Sequence, residues 1–169
     1  IKNSQMKINN NQTITSAKIL LVNAVFYDDI SAMLLDGAIT ELKKLNIEFD
    51  IINLSGALEI PIAMAITIKQ NKKYDGYVAL GCVIRGETSH YEIVCNESAR
   101  SLNHLILNYN LSIVNGIITV ENEKQAIVRA DPKQKNKGGY CAEAIDQLIK
   151  IKQTNGLSPQ GKQAQDWCL

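Results

Sequence analysis

One short polar segment contains the side chains best suited to proton transfer and anion binding. The segment Arg85-Gly-Glu-Thr-Ser-His90 follows the apolar run Tyr77–Leu80 and precedes apolar residues spaced three and four apart, from Ile93 to Leu105. This pattern predicts a strand, a polar turn and a helix. A helix start offers free backbone N–H groups and the positive end of a dipole, so the turn could hold an anion. An imidazole ordinarily titrates near neutral pH, which makes His90 the candidate proton-transfer group at the carboxyl end of the strand.

The helix after this turn has a predicted start of its own. Thr88 or Ser89 is the expected N-cap, and Glu92 stands three residues after Ser89, as in a capping box. A lone histidine at a helix start is usually only a solvent-facing side chain, but Arg85 and two hydroxyl side chains accompany this one. His104 lies mid-helix without such neighbours and is interpreted as structural or surface.

Two further candidates stand at the ends of neighbouring strands. Phe26 ends the first apolar run, where an aromatic ring usually packs at a rim but could stack on a heterocycle. Glu59 follows the turn at Ser55-Gly56, where it either compensates a helix dipole or contacts a ligand. Together with Cys82–His90 and Asn115, these residues come from four successive strands, which predicts that they converge on one cleft.

A basic segment follows the fourth strand. Arg129 and three lysines, including Lys137, lie close to Gly138-Gly139. Such a segment is usually a solvated loop, but an arginine fork could also complete a phosphate site. Cys82 lacks an adjacent base, so it is interpreted as a small residue at a strand end and not as a nucleophile.

The composition limits the classes of partner and compartment. The formal net charge of +1 indicates no nucleic-acid or membrane partner, and the apolar share of 46% suits a full core but is too dispersed for a membrane span. The four cysteines form no C-x-x-C pair and no metal-ligand spacing, so we expect no metal site and a reducing, cytoplasmic location. The polar first eighteen residues lack the apolar core of a secretory signal.

Two nucleotide-binding motifs are rejected. Gly156-Leu-Ser-Pro-Gln-Gly161-Lys162 resembles a phosphate-binding P-loop, but Gln163 replaces the required Ser or Thr and no apolar strand precedes it. No G-x-G-x-x-G follows any predicted strand, so a dinucleotide fingerprint is absent from the sequence.

Strand and helix patterns alternate along most of the chain. They predict an α/β protein, a three-layer αβα sandwich with a four-stranded parallel sheet of flavodoxin-like order 2-1-3-4. We expect a flexible arm at 1–16, one domain at 17–152 and a loose tail at 153–169. The predicted strands are 18–25, 47–54, 77–80 and 111–120, and the predicted helices are 30–45, 59–70, 89–105, 121–130 and 140–152, with a basic loop at 131–139.

Three spaced motifs resemble those of the 6,7-dimethyl-8-ribityllumazine synthases, enzymes of riboflavin biosynthesis. The most specific is L-G-C-V-I-R-G-E-T-S-H-Y-E-I-V-C-N-E at 80–97. S-G-A-L-E-I-P is similar to the family's P-G-A-x-E-I-P, and N-G-I-I-T-V-E-N-E-K-Q-A-I-V-R-A followed by N-K-G-G is similar to its C-terminal block. The cysteine after Leu-Gly, Glu87 and Asn115 resemble the form common in alphaproteobacteria.

The resemblance implies a reaction and an assembly. The family condenses 5-amino-6-(D-ribitylamino)uracil with 3,4-dihydroxy-2-butanone 4-phosphate, releases phosphate and water, and uses no metal or redox cofactor. It assembles as homopentamers, and some members form sixty-subunit shells, with active sites shared between subunits. Small-molecule substrates and further copies of the chain are therefore the expected partners.

The resemblance also implies a role for each matching residue. His90 would move protons, Phe26 would stack on the pyrimidine, and Glu87 and Thr88 would form the phosphate turn. Asn115 and Arg129 would come from the neighbouring subunit, with Arg129 binding phosphate. The remaining matches are Ala57, Leu58 and Glu59 for the ribityl chain and ring edge, Cys82, Val83 and Ile84 for backbone contacts to the pyrimidine, and Lys137 near the phosphate.

Three positions depart from the commoner family pattern and leave other functions open. Ser55 replaces a usual proline, Leu58 a frequent phenylalanine, and Asn115 stands where many members have an aromatic residue. A non-catalytic shell protein that binds flavin or lumazine is therefore a second hypothesis. A generic flavodoxin-like phosphate binder is a third.

Overall fold

The computed structural model describes residues 17–154, and within that range four parallel strands alternate with helices. The sheet has the order β2-β1-β3-β4, which confirms the predicted α/β fold and strand order. The arm at 1–16, the P-loop-like segment and most of the predicted tail lie outside the described residues. The elements are β1 (Lys18–Ala24), α1 (Asp28–Lys44), β2 (Glu48–Leu54), α2 (Glu59–Lys69), β3 (Gly76–Ile84), α3 (His90–Tyr109), β4 (Ile113–Val120), α4 (Glu123–Ala130) and α5 (Lys137–Thr154).

The two central strands form the middle of the hydrophobic core. β1 and β3 are buried along most of their length, as expected of strands that are covered by helices on both faces. One core cluster packs α1 and α5 against one face of the sheet through residues such as Leu42 and Ile145. The other packs α2 and α3 against the opposite face through Met64 and Leu102. The result is the three-layer arrangement that the sequence predicted.

A buried amide network fixes the ends of β1 and β2. Asn23 is 2% exposed, and its Nδ2 donates to Ser31 Oγ at 2.8 Å and to Asn53 Oδ1 at 3.1 Å. Ser31 Oγ in turn donates to Asn23 Oδ1. A buried polar group is tolerated when its hydrogen bonds are satisfied, and this one ties α1 to both strands just before their carboxyl ends.

The predicted basic loop is shorter than expected because α5 begins three residues early. Asn136, with a φ of 43°, precedes the helix, and its Oδ1 accepts the N–H of Gly139 at 3.1 Å. A Cβ on Gly138 would lie 1.9 Å from the backbone oxygen of Leu34, so α1 and α5 can only pack this closely with glycine here. The tertiary contact therefore overrides the low helix propensity of Gly138-Gly139.

Candidate active site

The register of the sheet creates a step at its carboxyl edge. β3 pairs with β1 only as far as the Asn23–Leu80 pair, whereas its pairing with β4 continues to Ile84–Val120. β1 itself ends at Ala24, so Cys82–Ile84 extend roughly 10 Å beyond it at about 3.3 Å per residue. Past Leu80 the edge of β3 that faces β1 has no strand partner, which leaves main-chain N–H and C=O groups for another molecule.

A cleft of about 410 Å³ lies at this step. It is lined by three separate segments that follow β1, follow β2, and include the end of β3 with the start of α3. Of the predicted site residues, the structure brings together here Phe26, Ala57, Leu58, Glu59, Cys82, Val83, Ile84, Thr88 and His90. The volume lies within the usual range for small-molecule sites.

His90 is exposed and lines the cleft, as expected of a residue that exchanges protons with a ligand. It is the first residue of α3, and its N–H donates to Thr88 Oγ1 at 3.3 Å. The predicted capping box is wrong. Ser89 occupies the N-cap position without a side-chain cap bond, and Glu92 pairs with Arg85 instead. The backbone at this turn is therefore shaped by Thr88 and Arg85.

Two aromatic residues that follow β1 also line the cleft. Phe26 is 71% exposed although it is a large apolar side chain, and its ring meets Tyr27 edge to face at a centroid distance of 5.0 Å. Tyr27 is the N-cap of α1, and Asp28 and Asp29 lie in the first turn of that helix. An exposed ring held in place by a second ring is suited to stacking on a flat ligand.

The Cys82 thiol is poorly suited to nucleophilic chemistry. It is only 7% exposed, and burial raises its pKa to about 12. A thiol reacts as the thiolate, which this environment disfavours near neutral pH. The contribution of this residue to the cleft is therefore its backbone, in agreement with the interpretation of Cys82 as a strand-end residue.

The structure places three further candidates in a second depression beside β4. Asn115, Arg129 and Lys137 line this depression of about 270 Å³, which has no residue in common with the cleft. Arg129 Nη1 donates to the backbone oxygen of Gln125 at 3.0 Å, and the Lys137 Nζ lies 4.7 Å from the Tyr140 ring centroid. Within one chain, Asn115 does not join Phe26, Glu59 and His90 as the sequence predicted from successive strand ends.

Glu87 lies in the exposed turn, but its side chain does not line the cleft. Sequence reasoning did not assign six of the lining residues to the site, namely Tyr27, Ser55, Gly56, Gly86, Tyr91 and Val94. The helical period could have found Val94, which lies one turn after His90 on the same face of α3. Tyr27 and Tyr91 are direct neighbours of predicted site residues, but only the structure shows that their rings reach the cleft.

Residues 17–154 contain neither a cluster of metal ligands nor a membrane-spanning helix. Within them, no group of three or more His, Cys, Asp or Glu side chains comes together as a metal ion would require. No helix in this part of the chain is long and apolar enough to cross a membrane. Neither lysine nor arginine is among the described residues that line the cleft.

A flavodoxin-like α/β sheet with an apolar ligand cleft at the carboxyl ends of its strands defines a class of small-molecule-binding proteins. Residues 16–153 match the family described as 6,7-dimethyl-8-ribityllumazine synthase, and the chain belongs to that family. The resemblance inferred from the three motifs is thereby confirmed.

Proteins named 6,7-dimethyl-8-ribityllumazine synthase are similar over nearly their whole length. The one from Bartonella henselae is 54% identical over 82% of this chain and 90% of its own length. The one from Novosphingobium aromaticivorans is 53% identical over 81% of this chain and 97% of its own. A protein from Rhizobium meliloti, 6,7-dimethyl-8-ribityllumazine synthase 1, is 46% identical over 85% of this chain and 96% of its own length.

Proposed function

We propose that the chain is a lumazine synthase that condenses 5-amino-6-(D-ribitylamino)uracil with 3,4-dihydroxy-2-butanone 4-phosphate to 6,7-dimethyl-8-ribityllumazine. The proposal rests above all on one observation: an exposed histidine and an exposed aromatic ring line the same cleft, beside an unpaired strand edge. The substrate amine is itself the nucleophile, so the protein has to provide proximity, an anion site and proton transfer.

The pyrimidine is proposed to lie between the Phe26 ring and the step of β3. Stacking on Phe26 would orient its plane, and the open backbone edge of Cys82, Val83 and Ile84 would hydrogen-bond to its polar rim. Ala57, Leu58 and Glu59 line the cleft after β2 and are proposed to hold the ribityl chain and ring edge. This arrangement would direct the amine toward His90 and the adjacent turn.

The phosphate is proposed to bind at the turn before α3. Backbone N–H groups at Glu87 and Thr88 and the positive end of the long helix α3 would bind it, as at other helix starts. His90, next to this turn, would take and return protons as the imine forms, the phosphate leaves and the ring closes. Phosphate and water leave, and no metal or redox cofactor is part of the proposed chemistry.

The active site is proposed to be shared between subunits of a homopentamer, with a sixty-subunit shell as a larger form. The cleft lacks a cation of its own among the described residues, whereas Arg129, Lys137 and Asn115 line a separate depression on the same chain. A neighbouring copy could supply these three to the turn. Exposed apolar side chains such as Ile62 at 58%, Ile66 at 52% and Leu107 at 79% also suit burial between copies.

The catalytic unit is proposed to be the domain 17–152, working in the cytoplasm. Cys82, Cys95 and Cys141 are free thiols, two of them buried, which suits a reducing compartment. The proposed substrates are small and polar, and neither nucleic acid nor a membrane has a part in the reaction.

The deciding experiment mixes purified protein with both substrates. We expect the fluorescence of the lumazine to increase in step with the release of inorganic phosphate, at a rate proportional to protein concentration. The uracil alone and the butanone phosphate alone are the controls. Riboflavin or lumazine binding without any product formation would overturn the proposal in favour of a non-catalytic binding protein.

A further inference from the structure

The guanidinium of Arg85 joins three parts of the site that are separate in sequence. Its Nε donates to Glu121 Oε2 at 2.7 Å, just after β4, and its Nη1 pairs with Glu92 in the first turn of α3. The same group lies 4.1 Å from the centroid of the Tyr91 ring. Its backbone N–H also donates to Val120 O at 3.0 Å. One residue thus connects the end of β4 to the two residues that follow His90.

The turn that this residue begins has few other contacts in the described chain. Gly86 to Ser89 are exposed, and a Cβ added at Gly86 would meet nothing within 4 Å. The hydrogen bond from the His90 N–H to Thr88 Oγ1, at 3.3 Å, is long and local. The shape of the turn, and with it the direction in which α3 presents His90, therefore depends on contacts at the two ends of the turn.

Arg85 is not one of the residues that line the cleft, whereas Gly86, Thr88, His90 and Tyr91 are. Its Nε and Nη1 are each engaged by a carboxylate, and the hydrogen bond to Glu92 lowers the pKa of that carboxyl from the ordinary value, as expected of an established ion pair. A guanidinium that is already bound to two carboxylates is a poor ligand for a phosphate.

We propose that Arg85 is a positioning residue: its bridge to Glu121 and Glu92 and its stacking on Tyr91 hold the phosphate turn and His90 in their reactive arrangement. This inference rests on the proposed function and adds a residue to it. The pairs are half exposed, so they contribute little to global stability. Their effect is geometric, because a planar fork can hold two carboxylates at fixed angles and an ammonium group cannot.

The test compares Arg85→Gln, Arg85→Lys and Glu121→Gln in steady-state kinetics. We expect each to lower kcat by about 10- to 100-fold, the loss expected for a misplaced reacting group, with KM for the butanone phosphate changed less than about 3-fold. Because both residues act through one bridge, Arg85→Gln combined with Glu121→Gln should be no slower than Arg85→Gln alone. Arg100→Gln is the matched control. It breaks the exposed pair between Arg100 and Glu97, both on α3, and should behave as wild type.

Binding of inorganic phosphate separates positioning from direct contact. A phosphate Kd that rises tenfold in Arg85→Gln, while Glu121→Gln and Arg85→Lys remain active, would overturn the proposal and make Arg85 an anion ligand. Unchanged kcat in Arg85→Gln, or additive losses in the double variant, would also overturn it.

Hydrogen exchange provides a readout that does not depend on activity. We expect the amides of 86–92 to exchange at least several-fold faster in Arg85→Gln and Glu121→Gln than in wild type and Arg100→Gln. If wild type forms no lumazine but the exchange pattern appears, the proposed function fails and the bridging role of Arg85 stands. If lumazine forms and the exchange of 86–92 is unchanged, the positioning proposal alone fails.

Discussion

The imidazole of His90 is exposed at the first position of α3, beside the turn where the phosphate is proposed to bind. We predict that His90→Ala lowers kcat by about 10²- to 10⁴-fold, the usual contribution of a general acid–base, while the chain remains folded. The measurement is lumazine formation at saturating substrates. A His90→Ala variant with the wild-type rate would remove His90 from the mechanism.

The only other histidine of the sequence is a matched control for this prediction. His104 lies on the same helix, is exposed and is not part of the cleft. His104→Ala should therefore keep the wild-type rate and the wild-type pH profile. Equal losses in both variants would indicate a general effect on α3 and not a role in proton transfer.

The buried Cys82 thiol provides a pH-dependent prediction. Burial raises its pKa from an ordinary value of 9.0 to about 12, so the neutral thiol favours folding below pH 9 and this contribution is lost as pH rises toward 12. We expect the rate of alkylation of Cys82 in the native protein to continue increasing through pH 9 and 10. In urea-denatured protein the rate should level off near the ordinary pKa. Peptide mapping by mass spectrometry distinguishes the thiols, and a plateau near pH 9 in the native protein would contradict the assignment.

The packing of α1 against α5 depends on the absence of a side chain at Gly138. A Cβ there would overlap the backbone oxygen of Leu34, and backbone cannot move aside as a flexible side chain can. We predict that Gly138→Ala lowers the free energy of unfolding by about 1–3 kcal/mol, the cost of overpacking, or more. Chemical denaturation at fixed protein concentration measures it.

Gly86→Ala is the control for this substitution, because its Cβ would meet nothing within 4 Å and no positive φ is involved. Its free energy of unfolding should stay within about 0.5 kcal/mol of wild type, as is usual for surface changes. Equal destabilisation of the two variants would mean that loss of glycine, and not the contact between α1 and α5, determines stability.

The order of the strands could be predicted from the sequence because strand and helix patterns alternate clearly. The boundaries that failed have tertiary causes. α5 begins at Lys137 because Gly138 packs on α1, and no local propensity predicts a helix start at two glycines. The capping box failed because Glu92 pairs with Arg85, seven residues before it in the turn. Arg85 in turn pairs with Glu121, 36 residues further along the chain, and spacing along α3 reveals neither contact.

Part of the candidate site could be predicted from the sequence, but the grouping of its residues could not. His90, Phe26 and Glu59 could be found because each follows a strand or a turn with a clear pattern. The separation of Asn115 from them could not, because it depends on which edge of β4 is open, and β4 is the last strand of the sheet. The length of β3 beyond β1 is likewise a property of register, which a single strand sequence does not reveal.

Subunit mixing tests whether two copies build one site. We predict that His90→Ala and Arg129→Ala are each strongly impaired but regain activity when unfolded together and reassembled in equal amounts. In a closed ring, about a quarter of the sites would then combine an intact His90 with an intact Arg129 from the neighbour. Refolding each variant alone is the control.

The mixed particles should have a mass near five or sixty times the 18.7 kDa of one chain. If such particles regain no activity, each subunit works by itself. A wild-type chain that sediments as a single active copy would exclude the shared site directly.

The projecting end of β3 has a consequence for how this protein can evolve. Every residue type has a backbone carbonyl and every type except proline has a backbone N–H, so the wall proposed for the pyrimidine does not depend on which side chains occupy 82–84. Substitutions at these three positions can change how β3 packs in the core while the backbone still recognises the heterocycle. Divergent descendants would thus differ in stability long before they differed in the molecule they accept.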